Sequence, residues 1–260
     1  MRLAGQVAVI TGAGGGIGRA IALALAGEGA ALALADLGEA AQPVAEEAGR
    51  AGVKALAVTA DVTRSADMAA LVDRAGDELG GLDILVTCAG VGGPGLLLEQ
   101  DEAEWLRVID VNLGGTYRAV RAALPRMIAR GYGRIVTVAS VFGRHGGSGY
   151  ITAYVASKHG VIGLTRALAA ELGSQGHRGI TVNAICPGYV RAGMGIRTQL
   201  TKAGPMSGEE IFERWYRRQV PLRRMIEAEE IAHAAVFLAL PASGGVTGQA
   251  LNVDGGFVMS

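Results

Sequence analysis

Tyr154 and Lys158 stand four residues apart in the run Tyr154-Val155-Ala156-Ser157-Lys158, and Ser140 lies fourteen residues upstream of the tyrosine. On a helix, positions i and i+4 share a face, so the ammonium of Lys158 is placed near the phenol of Tyr154. A neighbouring positive charge favours tyrosinate and lowers a pKa that otherwise lies at about 10. Such a phenol can serve as a general acid/base near neutral pH. By itself the spacing is weak, because Tyr-x-x-x-Lys occurs by chance in amphipathic helices. Its weight comes from the other groups that precede and follow it in order.

Near the N-terminus Val7-Ala8-Val9-Ile10 runs directly into Thr11-Gly12-Ala13-Gly14-Gly15-Gly16-Ile17-Gly18 and then into an alanine-rich stretch. Glycines at a strand-to-helix turn let the backbone approach a pyrophosphate, whose charge is favoured at the helix N-terminus. With 41 glycines in the chain, only the flanking strand and helix make this turn informative. Asp36 ends the next β-prone run, where a carboxylate accepts hydrogen bonds from both hydroxyls of an adenosine ribose and repels a 2′-phosphate. Neither Gly15 nor Leu37 is basic, so NAD is favoured over NADP. Asp36 also suits the N-cap of the following helix. Asp61, followed by Val62, is placed to contact adenine or to cap the helix beginning near Ser65.

These groups need a scaffold, and the chain alternates short β-prone runs with helical stretches throughout its 260 residues. The runs are Val7 to Thr11, Ala31 to Ala35, Ala55 to Thr59, Ile84 to Thr87, Arg134 to Ala139, Thr181 to Ile185 and Ala250 to Val253. Helices are expected over Gly16 to Glu28, Glu39 to Ala51, Ser65 to Leu79, Glu102 to Arg130, Ile151 to Gly173 and Ala228 to Leu240. Pro125 is expected to kink the fourth or mark a turn. Seven runs with intervening helices imply a single-domain, doubly wound, mostly parallel sheet covered on both faces. Arg191 to Pro221 breaks the rhythm and reads as a loop-and-helix lid over the sheet's carboxyl edge, where open α/β sheets bind ligands.

Composition narrows the class. Lys plus Arg and Asp plus Glu both number 24, so no global field recruits nucleic acid or an anionic membrane. Cys88 and Cys186 form neither a disulfide framework nor a clustered metal-ligand spacing, so no metal is expected. The first residues lead straight into an apolar strand, leaving no room for a signal peptide, and no apolar run approaches the ~20 residues of a membrane span. A soluble cytoplasmic protein is expected.

Taken together, Thr11-Gly12-x-x-x-Gly16-x-Gly18, Asn112, Ser140, Tyr154-x-x-x-Lys158, Pro187-Gly188 and Asn252-Val253-Asp254-Gly255-Gly256 resemble, in order, the motifs of the short-chain dehydrogenase/reductase family. The likeness covers essentially the whole chain and implies a Rossmann-like fold. It implies cofactor contacts from Gly12, Gly14, Gly15, Gly16, Ile17 and Gly18, from Asp36, Asp61 and Val62, from Ala89 and Gly90, and from Tyr154, Lys158, Pro187, Gly188 and Val190. Two positions depart from the pattern. Thr87-Cys88-Ala89-Gly90 stands where the family has Asn-Asn-Ala-Gly, so a bracing asparagine is missing and some local stability with it. Ala192 stands where a threonine often meets the nicotinamide carboxamide, and Thr198 is too far along to replace it.

For oxidation the resemblance implies that Ser140 hydrogen-bonds the substrate oxygen, Tyr154 as tyrosinate takes the hydroxyl proton, and the carbinol hydride passes to the nicotinamide. Lys158 would depress the Tyr154 pKa and bind the nicotinamide ribose, while Asn112 would hold a water linking Lys158 to solvent. Positioned acid/base groups contribute about 10²- to 10⁴-fold. Phe142, Tyr150, Tyr189 and Trp215 offer apolar wall, and His145 lies in a glycine-rich loop that would line the pocket, whereas His159 should face away. Arg191, Arg197, Lys202, Arg214, Arg217 and Arg218 could meet an acidic substrate, but the spacing of Glu209, Glu210 and Glu213 favours a solvated, salt-bridged face. The leading expectation is an NAD-dependent dehydrogenase of secondary alcohols, polyols, sugars or hydroxy acids. The alternative is a 3-oxoacyl or polyketide-type ketoreductase, and a non-catalytic nicotinamide-binding sensor comes third. Family resemblance also implies a homotetramer, built on the two long helices and on the C-terminal strand.

Overall fold

Val7–Thr11 (β1) is buried at all five positions, as expected of a strand covered on both faces. In a computed structural model, which describes residues 1–147, 149–195, 199–201 and 204–259, it is the third strand across a seven-stranded sheet. The other strands are Ala31–Asp36 (β2), Ala55–Thr59 (β3), Ile84–Thr87 (β4), Gly133–Val138 (β5) and Ile180–Pro187 (β6). A two-stranded antiparallel hairpin, Gln199–Thr201 (β7) with Gly204–Met206 (β8), precedes the last sheet strand, Ala250–Val253 (β9). The order β3-β2-β1-β4-β5-β6-β9 is parallel at every pairing, a Rossmann-like arrangement that reverses direction between β1 and β4. That reversal opens a crevice at the carboxyl edge.

The two-residue period of β1 sends Ala8 and Ile10 to one face and Val7 and Val9 to the other. The first face packs on Gly16–Gly27 (α1), Gln42–Arg50 (α2) and Ala228–Ala239 (α8) through Ile21, Leu25, Val44, Ile231 and Ala235. The second packs on Ser65–Leu79 (α3), Gly115–Arg130 (α5) and Thr152–Ser174 (α6) through Met68, Leu71, Ala119, Met127 and Leu168. Alanine is frequent in both layers of the core.

Three expectations change. The long fourth helix is divided: Glu102–Ile109 (α4) passes into a π-helical turn, Asp110–Gly114, before α5 begins. Pro125 lies inside α5 and the helix runs on to Arg130, so the break comes at the π turn and not at the proline. The lid is also more structured than a loop and helix, comprising a 3₁₀ turn at Gly193–Gly195, the β7–β8 hairpin, Gly208–Ile211 (α7) and a second π turn, Phe212–Tyr216.

Candidate active site

The glycine-rich turn is built by close backbone approach. Gly12 has φ +68°, and a Cβ there would lie 2.6 Å from the backbone of Ala89 after β4. A Cβ on Gly18 would collide with the Gly12 carbonyl oxygen. Gly15, at the N-cap of α1, supplies no side-chain cap, so the first amides of the helix point outward with the positive end of its dipole. The turn therefore fits the pyrophosphate of a dinucleotide on its own geometry. Asp36 sits beside it: Oδ2 accepts from the Gly14 amide at 2.7 Å and Oδ1 from the Leu37 amide at 2.8 Å. Each oxygen keeps a lone pair for a ribose hydroxyl. The helix after Asp36 is capped by Ala41, so the capping alternative does not hold. Asp61 is committed to an Asx turn, its Oδ1 accepting from the Thr63 amide at 2.9 Å and hydroxyl at 2.8 Å. Arg64, not Asp61, occupies the N-cap of α3. Val62 is buried against Gly115 of α5.

Along the same edge the structure brings Ser140, Tyr154 and Lys158 together. Ser140 follows β5 and its Oγ accepts from the Phe142 amide at 3.1 Å, which fixes the side chain as the cap of a 3₁₀ turn. The Ser140 side chain is close enough to Tyr154 to pull its pKa down. Lys158 is buried, its Nζ donating to the Val138 carbonyl at 2.8 Å and lying 5.7 Å from the centroid of the Tyr154 ring. Burial pushes its pKa down to about 8.

The settings of Tyr154 and Asn112 add detail that the spacing does not carry. Burial raises the Tyr154 pKa, and Ser140 pulls it down less strongly. With its pKa raised, the phenol is protonated at neutral pH. Asn112 lies in the first π turn. Its Oδ1 accepts from the Val91 amide at 2.8 Å, and its Nδ2 donates to the Val91 carbonyl and to Ser157 Oγ, both at 3.0 Å. The extra residue of the π turn aims this side chain as a brace between the loop after β4 and α6. Ser157, which passes its own proton to the Tyr154 carbonyl at 2.7 Å, belongs to the same brace, and the motif spacing gave no hint of it.

Gly90 meets this brace closely, since a Cβ on it would lie 3.3 Å from Asn112 Oδ1 and 3.7 Å from Lys158 Nζ. One position upstream of Cys88, the Thr87 hydroxyl is buried without a hydrogen-bond partner, which is the local cost expected of the altered Asn-Asn-Ala-Gly segment. Pro187 and Gly188 end β6 against Asp254, and Val190 bridges to Ile226 at the root of the lid. Burial pushes the Cys88 and Cys186 thiols up to about 12 and about 11, so both are inert small hydrophobes.

Three of the lid arginines are engaged with acidic or aromatic neighbours. Arg191 bonds Glu209 at 2.5 Å and Glu227 at 3.3 Å, Arg217 bonds Glu213 at 3.2 Å, and Arg214 lies 5.3 Å from the Trp215 ring centroid. Arg218 is exposed on the same segment. Arg197, Thr198 and Lys202 lie outside the described residues. Trp215 is 38% exposed. The apolar wall comes instead from Phe212 and Tyr216, which share a face with i, i+4 spacing and pack on Phe142, Tyr189 and Phe257. Their spacing was a readable signal, but it fell in the stretch whose charges drew attention first. Tyr150 has φ 60° and its carbonyl accepts from the Gly95 amide at 2.8 Å. His145 is exposed, its Nδ1 accepting from the Gly147 amide at 3.0 Å, and His159 faces away from the site as expected.

Residues 12–258 match the family model for enoyl-(acyl carrier protein) reductase. The chain is 39% identical over 254 residues to the 3-oxoacyl-[acyl-carrier-protein] reductase FabG of Staphylococcus aureus, covering 97% of this chain and 98% of that one. Among solved structures it is similar to an actinorhodin polyketide ketoreductase with NADPH, at 39% identity, a TM-score of 0.89 and 97% of each chain. It is also similar to a short-chain type dehydrogenase/reductase from Mycobacterium marinum, at 34% identity, a TM-score of 0.87, and 99% and 97% coverage. With the crevice, the glycine turn and the Ser140–Tyr154–Lys158 set already in place, these likenesses over nearly the full length make the chain a member of the short-chain dehydrogenase/reductase family of nicotinamide-dependent oxidoreductases.

Proposed function

We propose that the protein is a ketoreductase of the 3-oxoacyl or polyketide type, reducing a ketone to a secondary alcohol. One observation carries the direction: Tyr154, brought beside Ser140 and Lys158 at the carboxyl edge, has a raised pKa and is a neutral phenol. A neutral phenol is a proton donor, which is what a carbonyl oxygen gaining negative charge requires. The similarity to two ketoreductases supports the same direction, so this reading replaces alcohol oxidation as the leading one. A sensor without turnover is disfavoured by the intact acid/base set.

A dinucleotide held at the glycine turn and Asp36 would supply the hydride. Ser140 and Tyr154 donate hydrogen bonds to the substrate carbonyl oxygen and polarise it. As the carbonyl carbon gains hydride, the Tyr154 hydroxyl gives its proton to the oxygen. Lys158, held by Val138 and 5.7 Å from the Tyr154 ring centroid, stabilises the resulting tyrosinate. Asn112 and Ser157 keep α6 and the loop after β4 in register around these groups.

The cofactor is proposed to be NADH. Asp36 is held at the glycine turn, where its carboxylate favours ribose hydroxyls and opposes a 2′-phosphate, and no cation stands at Gly15 or Leu37. The polyketide ketoreductase noted above was solved with NADPH, so the cofactor is where this chain is expected to part from that relative. The test is oxidation of NADH and of NADPH with a 3-oxobutanoyl thioester, for the parent and Tyr154→Phe. Reduction with NADH that is lost in the variant is expected. Oxidation of alcohols without reduction of any ketone would overturn the proposed direction.

A further inference from the structure

The turn that carries Ser140 is closed by its own hydrogen bonds. Ser140 Oγ accepts from the Phe142 amide at 3.1 Å, the Ser140 carbonyl from the Gly143 amide at 2.8 Å, and the Val141 carbonyl from the Arg144 amide at 2.9 Å. Ser140 to Arg144 therefore behaves as one rigid unit, and two contacts outside it fix where that unit sits. On one side Gly143 is pressed on α6, where a Cβ would lie 2.7 Å from the Lys158 carbonyl oxygen. On the other, Arg144 Nη1 donates to the Ala250 carbonyl of β9 at 2.8 Å and to Asn252 Oδ1 at 3.1 Å.

Arg144 is partly buried and both of these acceptors are neutral, so its bonds are directional contacts and not a surface ion pair. Beyond it His145 and Gly146 are exposed, and Gly147 and Gly149 have positive φ, before α6 begins at Thr152. The Arg144 side chain is thus the firm attachment of the downstream end of the turn. Asn252 carries the tie further, its Nδ2 donating to the Val258 carbonyl at 2.6 Å. Asp254 accepts from the Gly256 and Val258 amides at 2.9 Å and 2.7 Å, which closes the C-terminal tail into a turn of its own. The Phe257 ring of that tail lies 5.5 Å from the ring of His145.

We propose that Arg144 is a positioning residue for Ser140: by tying the serine's turn to β9 and, through Asn252, to the C-terminal tail, it sets where the Ser140 hydroxyl meets the substrate oxygen. Misplacing a reacting group by about 1 Å costs about 10²-fold in rate, so loss of the tie falls on kcat. This rests on the role given to Ser140 in the ketoreductase reading, and Arg144 acts only through that serine.

The test is a double-mutant cycle on the reduction of a 3-oxobutanoyl thioester with NADH, comparing the parent, Arg144→Met, Ser140→Ala and the pair. Methionine keeps the apolar stem and loses the donors. Arg144→Met is expected to lower kcat by about tenfold to 10²-fold with KM for NADH unchanged. In the Ser140→Ala background the same change is expected to cost less than about twofold, because the group it positions is gone. Arg144→Lys, whose ammonium can serve the same oxygens, should recover part of the lost kcat. An equal loss in both backgrounds, or an unchanged kcat in Arg144→Met, overturns the proposal. Should Arg144→Met fail to fold, Asn252→Ala replaces it in the cycle, with a loss confined to the chain that retains Ser140 expected and an equal loss in both backgrounds overturning the tie. A parent that oxidises secondary alcohols and reduces no ketone overturns the ketoreductase reading alone. The cycle is then run on the alcohol, where the same comparison of backgrounds decides the role of Arg144.

Discussion

At the residue scale, the most instructive group is Lys158. The i, i+4 spacing placed it correctly beside Tyr154, but spacing does not say where an ammonium spends its hydrogen bonds, and here that is the Val138 carbonyl. Its folded pKa of about 8 lies below the ordinary 10.5, so the unfolded chain binds the proton more tightly. The burden on stability is therefore full below pH 8, fades between pH 8 and 10.5, and is absent above, so stability rises with pH through that window. The shift corresponds to roughly 3 kcal/mol. Lys158→Met is expected to raise the melting temperature at pH 7, with the gap to the parent closing toward pH 10.5, while ketone reduction is lost. Equal melting temperatures across that range would contradict the buried charge. The place of Asp36 at the end of β2 was legible from the sequence, whereas its bonds to Gly14 and Leu37 depend on the folded turn. Asp36→Ala is expected to cut the preference for NADH over NADPH, measured by kcat/KM, by about tenfold or more, as loss of a buried polar discrimination does.

At the scale of elements, most strands were legible because continuous apolar runs bounded by glycine and charge have few other uses in an α/β chain. β1, β3, β4 and β9 match their expected bounds. What could not be read was where a helix changes pitch. The π turn at Asp110–Gly114 has no marker as strong as Pro125, and the break falls in the unmarked segment because Asn112 must turn inward to Val91 and Ser157. The lid hairpin was missed for a related reason, since Gln199–Thr201 and Gly204–Met206 are too short to show a two-residue period. Asn112→Ala should destabilise by about 2–3 kcal/mol in urea unfolding, because it strands the Val91 amide and carbonyl. Thr87→Val should do the reverse. It replaces an unpartnered buried hydroxyl by a methyl group, and a gain of about 1 kcal/mol is expected. A loss of stability on that substitution would mean the hydroxyl is satisfied in solution.

At the scale of the whole molecule, the described surface keeps two apolar regions that the site does not use. Leu106, Ile109, Leu113, Tyr117 and Leu164 line a groove along α4, α5 and α6, with Leu106 and Tyr117 about half exposed. Phe237, Leu251 and Met259 are also exposed, on α8, β9 and the tail. Exposed apolar side chains suit contacts between copies of a chain, and the tetramer implied by the family resemblance is proposed on that ground alone. Light scattering should give four times the chain mass, and Tyr117→Glu should reduce it to a dimer. A monodisperse monomer for the parent would contradict the inference. No helix among the described residues is long and apolar enough to cross a membrane.

The measurement that bears most directly on the central claim is the steady-state rate of NADH oxidation with a panel of ketones, thioester and ring, for the parent and for Tyr154→Phe at neutral pH. The account expects reduction by the parent and a fall of about 10²- to 10⁴-fold in kcat for the variant, the contribution of a positioned acid. Undiminished reduction by Tyr154→Phe would mean that the proton comes from elsewhere and would contradict the account.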